Sequence, residues 1–187
     1  MSDVRAELPR FGPSALLTPA NVVTLARLAF TVPLLTLISS DGATWASFTA
    51  WTVMGSTDGL DGWLARRGGT TRSGAFLDPL ADKVLAIGGL WALAAQDVFP
   101  PVAVAIIAGR EVAVSAYRTV AGRRGVSLPA RPLGKWKTVL QLVAVGTALC
   151  PTTAASSELS LSILWGAVAL AVVSGADIVR HGPGLRR

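Results

Sequence analysis

Apolar positions along the chain gather into windows of roughly 20 residues, the length at which a helix crosses the hydrocarbon core of a bilayer. Six such windows, bounded by charges or turn residues, cover 21–39, 44–65, 74–96, 98–117, 134–149 and 159–179. Each predicts a transmembrane helix, and the linkers between them are short. Charged positions stand out in the second, third and fourth windows. Pro19 stands where a helix can begin, Pro100 and Pro101 lie near the start of the fourth window, and Pro129 and Pro132 break the loop before the fifth. Residues 1–20 are polar, carry Pro9, Pro13 and Pro19, and have no apolar stretch directly behind a basic start. They predict an interfacial arm rather than a cleaved signal peptide. The expected organisation is all-α and membrane-integral: an arm over 1–20, a six-helix domain over 21–180 and a tail over 181–187, with no internal repeat and no second domain.

Composition agrees with this pattern. Of 187 residues, 51% are apolar and 15% charged, against roughly 25% charged in a soluble domain, and the mean hydropathy is +0.53. A soluble domain and a disordered chain are both excluded. Cys150 is the single cysteine, so no internal disulfide holds the fold.

The net charge of +6 would by itself suit nucleic acid, anionic lipid or an anionic substrate. Its distribution narrows the choice. Arg5 and Arg10 lie in the arm, Arg66, Arg67 and Arg72 follow the second window, and Arg118, Arg123, Arg124, Arg131, Lys135 and Lys137 surround the linker between the fourth and fifth. Arg180, Arg186 and Arg187 follow the sixth, whereas the opposite connections at 40–43, 96–100 and 150–158 contain no Lys or Arg. By the positive-inside rule both termini face the cytoplasm, in a multi-pass protein of the cell membrane. Nucleic acid is not an expected partner.

Four aspartates interrupt the second and third windows. A carboxylate near mid-span costs roughly 2.5–3.5 kcal/mol on insertion scales, so such residues usually line a polar cavity. Asp58 and Asp61 stand at i and i+3, and Asp78 and Asp82 at i and i+4, so each pair shares one helix face. Two such faces brought together collect oxygen ligands in the number that suits one or two hard divalent cations, Mg2+ or Mn2+. The basic linker 66–72 sets the cluster toward the cytoplasmic side, and carboxylate-held metals suit phosphate chemistry.

Plainer readings compete at individual positions. One aspartate paired with Arg66, Arg72 or Lys83 serves packing or topology, but four together are not explained that way. Gly55, Gly59, Gly88 and Gly89 suit close helix contact, while Gly62, beside Asp61, and Gly74 let a substrate approach the backbone. The six Trp residues suit interface anchors or core, the outlying Arg residues suit lipid-surface charge, and His181 carries no evident chemistry.

The order Asp58, Asp61, Gly62, Ala65, Arg66, Gly74, Asp78, Asp82 reads D-x2-D-G-x2-A-R-x7-G-x3-D-x3-D. It resembles the signature of the CDP-alcohol phosphotransferases. The interval between Arg66 and Gly74 is seven residues where eight is commoner, a difference confined to a linker. The resemblance implies transfer of a phosphatidyl or similar group from a CDP-linked donor to an alcohol, with release of CMP. It also implies that Asp58, Asp61, Asp78 and Asp82 hold two metal ions and that Asp82 is in addition the base for the acceptor hydroxyl. Gly62, Arg66, Thr71 and Gly74 match positions around the CDP moiety, as do Asn21 and Thr24 in the run N-V-V-T-L-A-R.

The acceptor is addressed by the second half of the chain. Arg110, Glu111, Ser115 and Arg118, followed by Gly134, Lys135, Lys137, Thr138 and Gln141, resemble the R-E-x3-S-x2-R and G-K-x-K-T-x2-Q segments of the bacterial phosphatidylglycerophosphate synthase branch of that family. This likeness implies CDP-diacylglycerol and glycerol 3-phosphate as substrates and a homodimer within membrane lipid. The residues agree, since Arg110, Arg118, Lys135 and Lys137 are cations at the cytoplasmic ends of their windows and suit an acceptor that carries phosphate. Two alternatives stay open: the same chemistry on inositol phosphate or phosphatidylglycerol, and a divalent-cation transporter in which the aspartates form a transit site. A scaffold without chemistry leaves the aspartates unexplained.

Overall fold

The computed structural model describes residues 19–68, 74–123 and 132–181; at 19–21, 23, 57–68, 74–79, 122–123, 132–133, 135 and 179–181 it describes the backbone alone. Seven helices and no strand occur among the described residues: α1 (Pro19–Asp41), α2 (Trp45–Gly68), α3 (Gly74–Ala94), α4 (Pro101–Arg123), α5 (Pro132–Leu149), α6 (Pro151–Ala154) and α7 (Ser157–His181). All-α is therefore the observed class. Five long helices and the 18-residue α5 follow the six apolar windows, while α6 is one short turn between α5 and α7.

Helix ends follow local chemistry. Proline occupies the first position of α1, α4, α5 and α6, where its fixed φ favours the helix and its missing N–H costs nothing. At the end of α1, Gly42 takes φ +61 and its N–H reaches the Ile38 carbonyl at 3.0 Å, closing the helix in a left-handed cap. Thr44 then caps α2, its Oγ1 accepting the Ser47 N–H at 3.2 Å.

The fourth apolar window opens at 98, but α4 begins only at Pro101. The reason is the cap on α3: Asp97 takes φ +58, its N–H meets the Ala94 carbonyl at 3.1 Å, and the Val98 N–H meets Leu93 at 3.0 Å. This pair of bonds is the Schellman arrangement, here with Asp where Gly is usual. Gln96 adds a tie between helices, since its Nε2 donates to the Ile38 carbonyl at 2.9 Å and to the Ala92 carbonyl at 3.1 Å.

The helices pack around one core. α1 lies against α2 and α3, α5 and α7 pack together, α4 joins α3 to α7, and α5 also meets α2 and α3. Ile38, Trp51, Leu90, Ile107, Val145 and Leu164, from six different helices, are buried in its centre. Two glycines make the closest approaches possible. A Cβ on Gly88 would sit 2.6 Å from the Leu35 side chain and one on Gly89 would sit 2.4 Å from the Trp51 ring, so α1 and α2 seat against α3 only because both side chains are absent. The Trp51 indole N–H is satisfied across the bundle by the Leu142 carbonyl at 3.0 Å.

The outer surface is apolar as well. Phe30, Val32, Val53, Trp91, Val112, Trp136 and Val172 are all exposed, an arrangement suited to hydrocarbon rather than water. Among the described residues, Ser157–Ile178 is the one helix long and apolar enough to cross a membrane by length and composition. The other long helices carry polar and charged positions that lower their hydropathy. Residues 1–18 of the expected arm and 182–187 of the tail lie outside the described residues.

Candidate active site

Polar side chains inside the bundle come from helices that sequence separates widely: Arg27 on α1, Glu111 on α4, Lys137 and Gln141 on α5 and Ser174 on α7 are buried, and Asp82 and Lys83 on α3 are half-buried. In an apolar bundle each needs a partner, because an unpaired buried charge costs far more than a paired one.

Asp82 lies in α3 and its side chain is about one-third exposed, at 34%. Arg27, almost fully buried, donates from Nη1 to Asp82 Oδ1 at 2.7 Å. The carboxylate is thus held from the α1 side while remaining accessible. It lines a cavity of about 140 Å3 together with Lys83, Glu111, Thr138 and Gln141, over an apolar wall of Ala86 and Ile87. A carboxylate in such a place can accept a proton or bind a cation.

A second cluster ties α4, α5 and α7. Glu111 Oε1 accepts from Arg110 Nη1 at 3.1 Å and is ion-paired with Lys137. Arg110 also donates from Nε to the Ala171 carbonyl at 3.1 Å and from Nη2 to Ser174 Oγ at 2.8 Å. Lys83 donates to Ser115 Oγ, whose own hydroxyl donates to the Glu111 carbonyl at 2.6 Å. The network is continuous from α3 to α7.

The expected site residues take the following places. Asn21 and Thr24 fall on α1, where Thr24 is buried; Asp58, Asp61, Gly62 and Arg66 fall on α2; Gly74, Asp78 and Asp82 fall on α3. Arg110 and Arg118 lie on α4, the first engaged inside the bundle and the second exposed. Lys135 and Lys137 lie on α5, with Lys137 buried. Thr71 lies outside the described residues, and Asn21, Asp58, Asp61, Gly62, Arg66, Gly74, Asp78 and Lys135 are described as helix positions alone.

Asp82 is the one member of the aspartate quartet whose side chain is described, and among the described residues no group of three or more metal-ligating side chains forms. The donor chemistry fits a hard divalent cation. The quartet supplies only carboxylate oxygens, its pairs share helix faces, and the helices that carry them both pack on α1.

One residue of the site, Arg27, carries a signal that composition and spacing pass over. The first window also holds a charge, Arg27. Arg27 is a lone cation in mid-helix, which asks for a buried carboxylate partner as strongly as the aspartates ask for a cation. Glu111 sends the complementary message from α4. Which cation meets which carboxylate depends on helix packing, and spacing along the chain does not encode it.

Comparison with known proteins points the same way. A family model described as CDP-alcohol phosphatidyltransferase matches residues 17–173. A protein of Mycobacterium tuberculosis named "Probable phosphatidylglycerophosphate synthase" is 37% identical over 166 residues, covering 86% of this chain and 79% of that protein. The Bacillus subtilis protein named "CDP-diacylglycerol--glycerol-3-phosphate 3-phosphatidyltransferase" is 34% identical over 174 residues, covering 83% of this chain and 90% of its own length. A rice protein named "Cardiolipin synthase (CMP-forming)" is 33% identical over 155 residues, covering 73% of this chain but 47% of its own length. With the aspartate signature and the helical bundle that carries it, a match of this extent places the chain in the CDP-alcohol phosphatidyltransferase family.

Proposed function

We propose that this chain transfers the phosphatidyl group of CDP-diacylglycerol to sn-glycerol 3-phosphate, giving phosphatidylglycerol phosphate and CMP. Relatives bearing that activity in their names match it over most of its length. The structural observation that carries the reading is Asp82, a half-buried carboxylate held by Arg27 at the wall of a polar cavity.

In this reading Asp82 takes the proton of a glycerol hydroxyl as its oxygen attacks the phosphorus that bears diacylglycerol. The new P–O bond forms as the bond between that phosphorus and the CMP oxygen breaks, and CMP leaves with the electron pair. Asp58, Asp61, Asp78 and Asp82 would hold two divalent ions, Mg2+ or Mn2+, which supply charge neutralisation at the pyrophosphate. Asn21, Thr24, Gly62, Arg66, Thr71 and Gly74 embrace the CDP moiety, with Arg66 suited to bidentate phosphate contact. Arg118 and Lys135 meet the acceptor phosphate, and Arg110 and Lys137, already bound to Glu111, add positive potential behind them.

The domain crosses the cell membrane six times, with the site and both termini on the cytoplasmic side, in support of which stand the one-sided distribution of Arg and Lys and the apolar outer surface. A homodimer is part of the same reading.

The test is CMP release by the purified protein with CDP-diacylglycerol and Mg2+, offering glycerol 3-phosphate, inositol phosphate or phosphatidylglycerol, with and without EDTA. Release with glycerol 3-phosphate, abolished by EDTA, is the expected result. The rice relative favours one second reading, phosphatidylglycerol as acceptor with cardiolipin as product. Release with phosphatidylglycerol alone would establish it. Absence of CMP release with every acceptor would overturn the transferase reading and return the aspartates to a cation-transit role.

A further inference from the structure

The charges around Asp82 do not balance in pairs. Arg27 is matched with Asp82, and Arg110 and Lys137 share Glu111. Lys83 has no carboxylate partner among the described residues: its ammonium donates to the Ser115 hydroxyl, which itself donates onward to a backbone carbonyl. A partly buried ammonium with three donors and one neutral acceptor is poised for an anion.

Its position says which anion. Lys83, Ile87 and Glu111 line two spaces at once, the cavity of about 140 Å3 beside Asp82 and a larger groove of about 850 Å3 between α3 and α4 that also contains Arg118. Lys83 therefore stands at the boundary between the carboxylate and the open groove. The smaller space corresponds to about four or five waters at roughly 30 Å3 each, enough for a short polyol chain.

Gln141 supplies the second observation. It is 2% exposed, it lines the same small cavity, and its Nε2 has no hydrogen-bond partner among the described residues. A buried amide left without an acceptor is rare in a folded protein, and one that faces a cavity is completed by what enters it. Lys and Gln donors lining one small cavity with a carboxylate match a molecule that carries both phosphate and hydroxyls.

We propose that Lys83 and Gln141 select the acceptor: Lys83 pairs with its phosphate, and Gln141 donates to the hydroxyl that is not transferred, leaving the reacting hydroxyl at Asp82. The assignment rests on the reading of Asp82 as the base at the acceptor end of the site. It adds to Arg118 and Lys135 two residues on the inner side of the pocket, one of them directly after the base in sequence.

Steady-state CMP release, varying glycerol 3-phosphate and CDP-diacylglycerol separately, tests the assignment in Lys83→Gln and Gln141→Met. The expected result is a KM for glycerol 3-phosphate raised about tenfold or more in each, as for a lost buried hydrogen bond or charge contact, with KM for CDP-diacylglycerol unchanged. Unchanged KM for both substrates overturns the proposal, as does a parallel rise in both, which marks a structural role. If either variant does not fold, Lys83→Arg and Gln141→Glu decide. Lys83→Arg should keep KM near that of the parent, and Gln141→Glu, which sets a carboxylate against an anionic acceptor, should raise it; a parental KM in Gln141→Glu overturns the proposal. Wild-type protein that releases no CMP from glycerol 3-phosphate would instead overturn the underlying transferase reading, so the two failures are distinct.

Discussion

Arg27 on α1 and Asp82 on α3 meet across the bundle at 2.7 Å, 55 positions apart in sequence. The arginine is almost wholly buried and the aspartate is open to the cavity, so the pair holds the carboxylate from one side and leaves its other side accessible. A guanidinium in this place keeps the carboxylate oriented while its outer face stays available.

Removing that anchor should cost both stability and rate. Arg27→Gln is expected to destabilise the protein by about 1–2 kcal/mol, less than a fully buried broken pair because water reaches Asp82, and to slow turnover with little effect on KM. Thermal unfolding in detergent and CMP release measure the two effects. A variant with parental melting and parental rate would show that the contact neither holds the helices nor positions the base.

Asp82→Asn should abolish turnover, with a loss of about 10^2- to 10^4-fold, the range of general-base contributions. The substitution keeps the shape of the side chain and removes its basicity and charge. Binding of CDP-diacylglycerol, followed by protection of the variant from thermal unfolding, should weaken less than turnover. Near-normal turnover would assign the proton to another group.

Gly89 is expected to tolerate no side chain. Gly89→Ala would drive a methyl into the Trp51 ring, and α2 would have to shift away from α3 at a cost of about 1–3 kcal/mol. Gly55→Ala meets nothing within 4 Å and should be neutral or slightly stabilising. Comparing the two melting temperatures separates the loss of space from the loss of glycine itself.

Cys150 reports on orientation. It is the single cysteine and sits between α5 and α6 in a connection without Lys or Arg, the side assigned to the outer face. A membrane-impermeant maleimide should label it in intact cells; labelling only after permeabilisation would invert the topology. The thiol lies 3.1 Å from Thr152 Oγ1, and a hydrogen bond from that hydroxyl to the thiolate holds the thiol pKa below its ordinary value. The thiolate forms at lower pH than in a free thiol, so the labelling rate should reach its plateau at lower pH. Thr152→Val should move that profile upward.

Much of the fold was legible along the chain because its determinants are local. Apolar runs of bilayer length, prolines at the first helical position and the i, i+3 and i, i+4 spacing of the aspartates depend on neighbours within a turn or two, and α1–α5 and α7 follow them. The fourth apolar window opens three residues before α4 does, because the Schellman cap at Asp97 uses an aspartate in a left-handed conformation where sequence patterns expect glycine.

The amino-acid sequence by itself determined which six long helices form, which two of them carry the acidic signature and which ends carry the cations. Tertiary structure alone decided the partners: Arg27 with Asp82, Glu111 with both Arg110 and Lys137, Trp51 over Gly89, and Lys83 and Gln141 left facing a cavity. The physical reason is that helix formation is settled by contacts a few residues apart. Pairing in a low-dielectric interior is settled by which helix faces meet, and that is a property of the packed bundle.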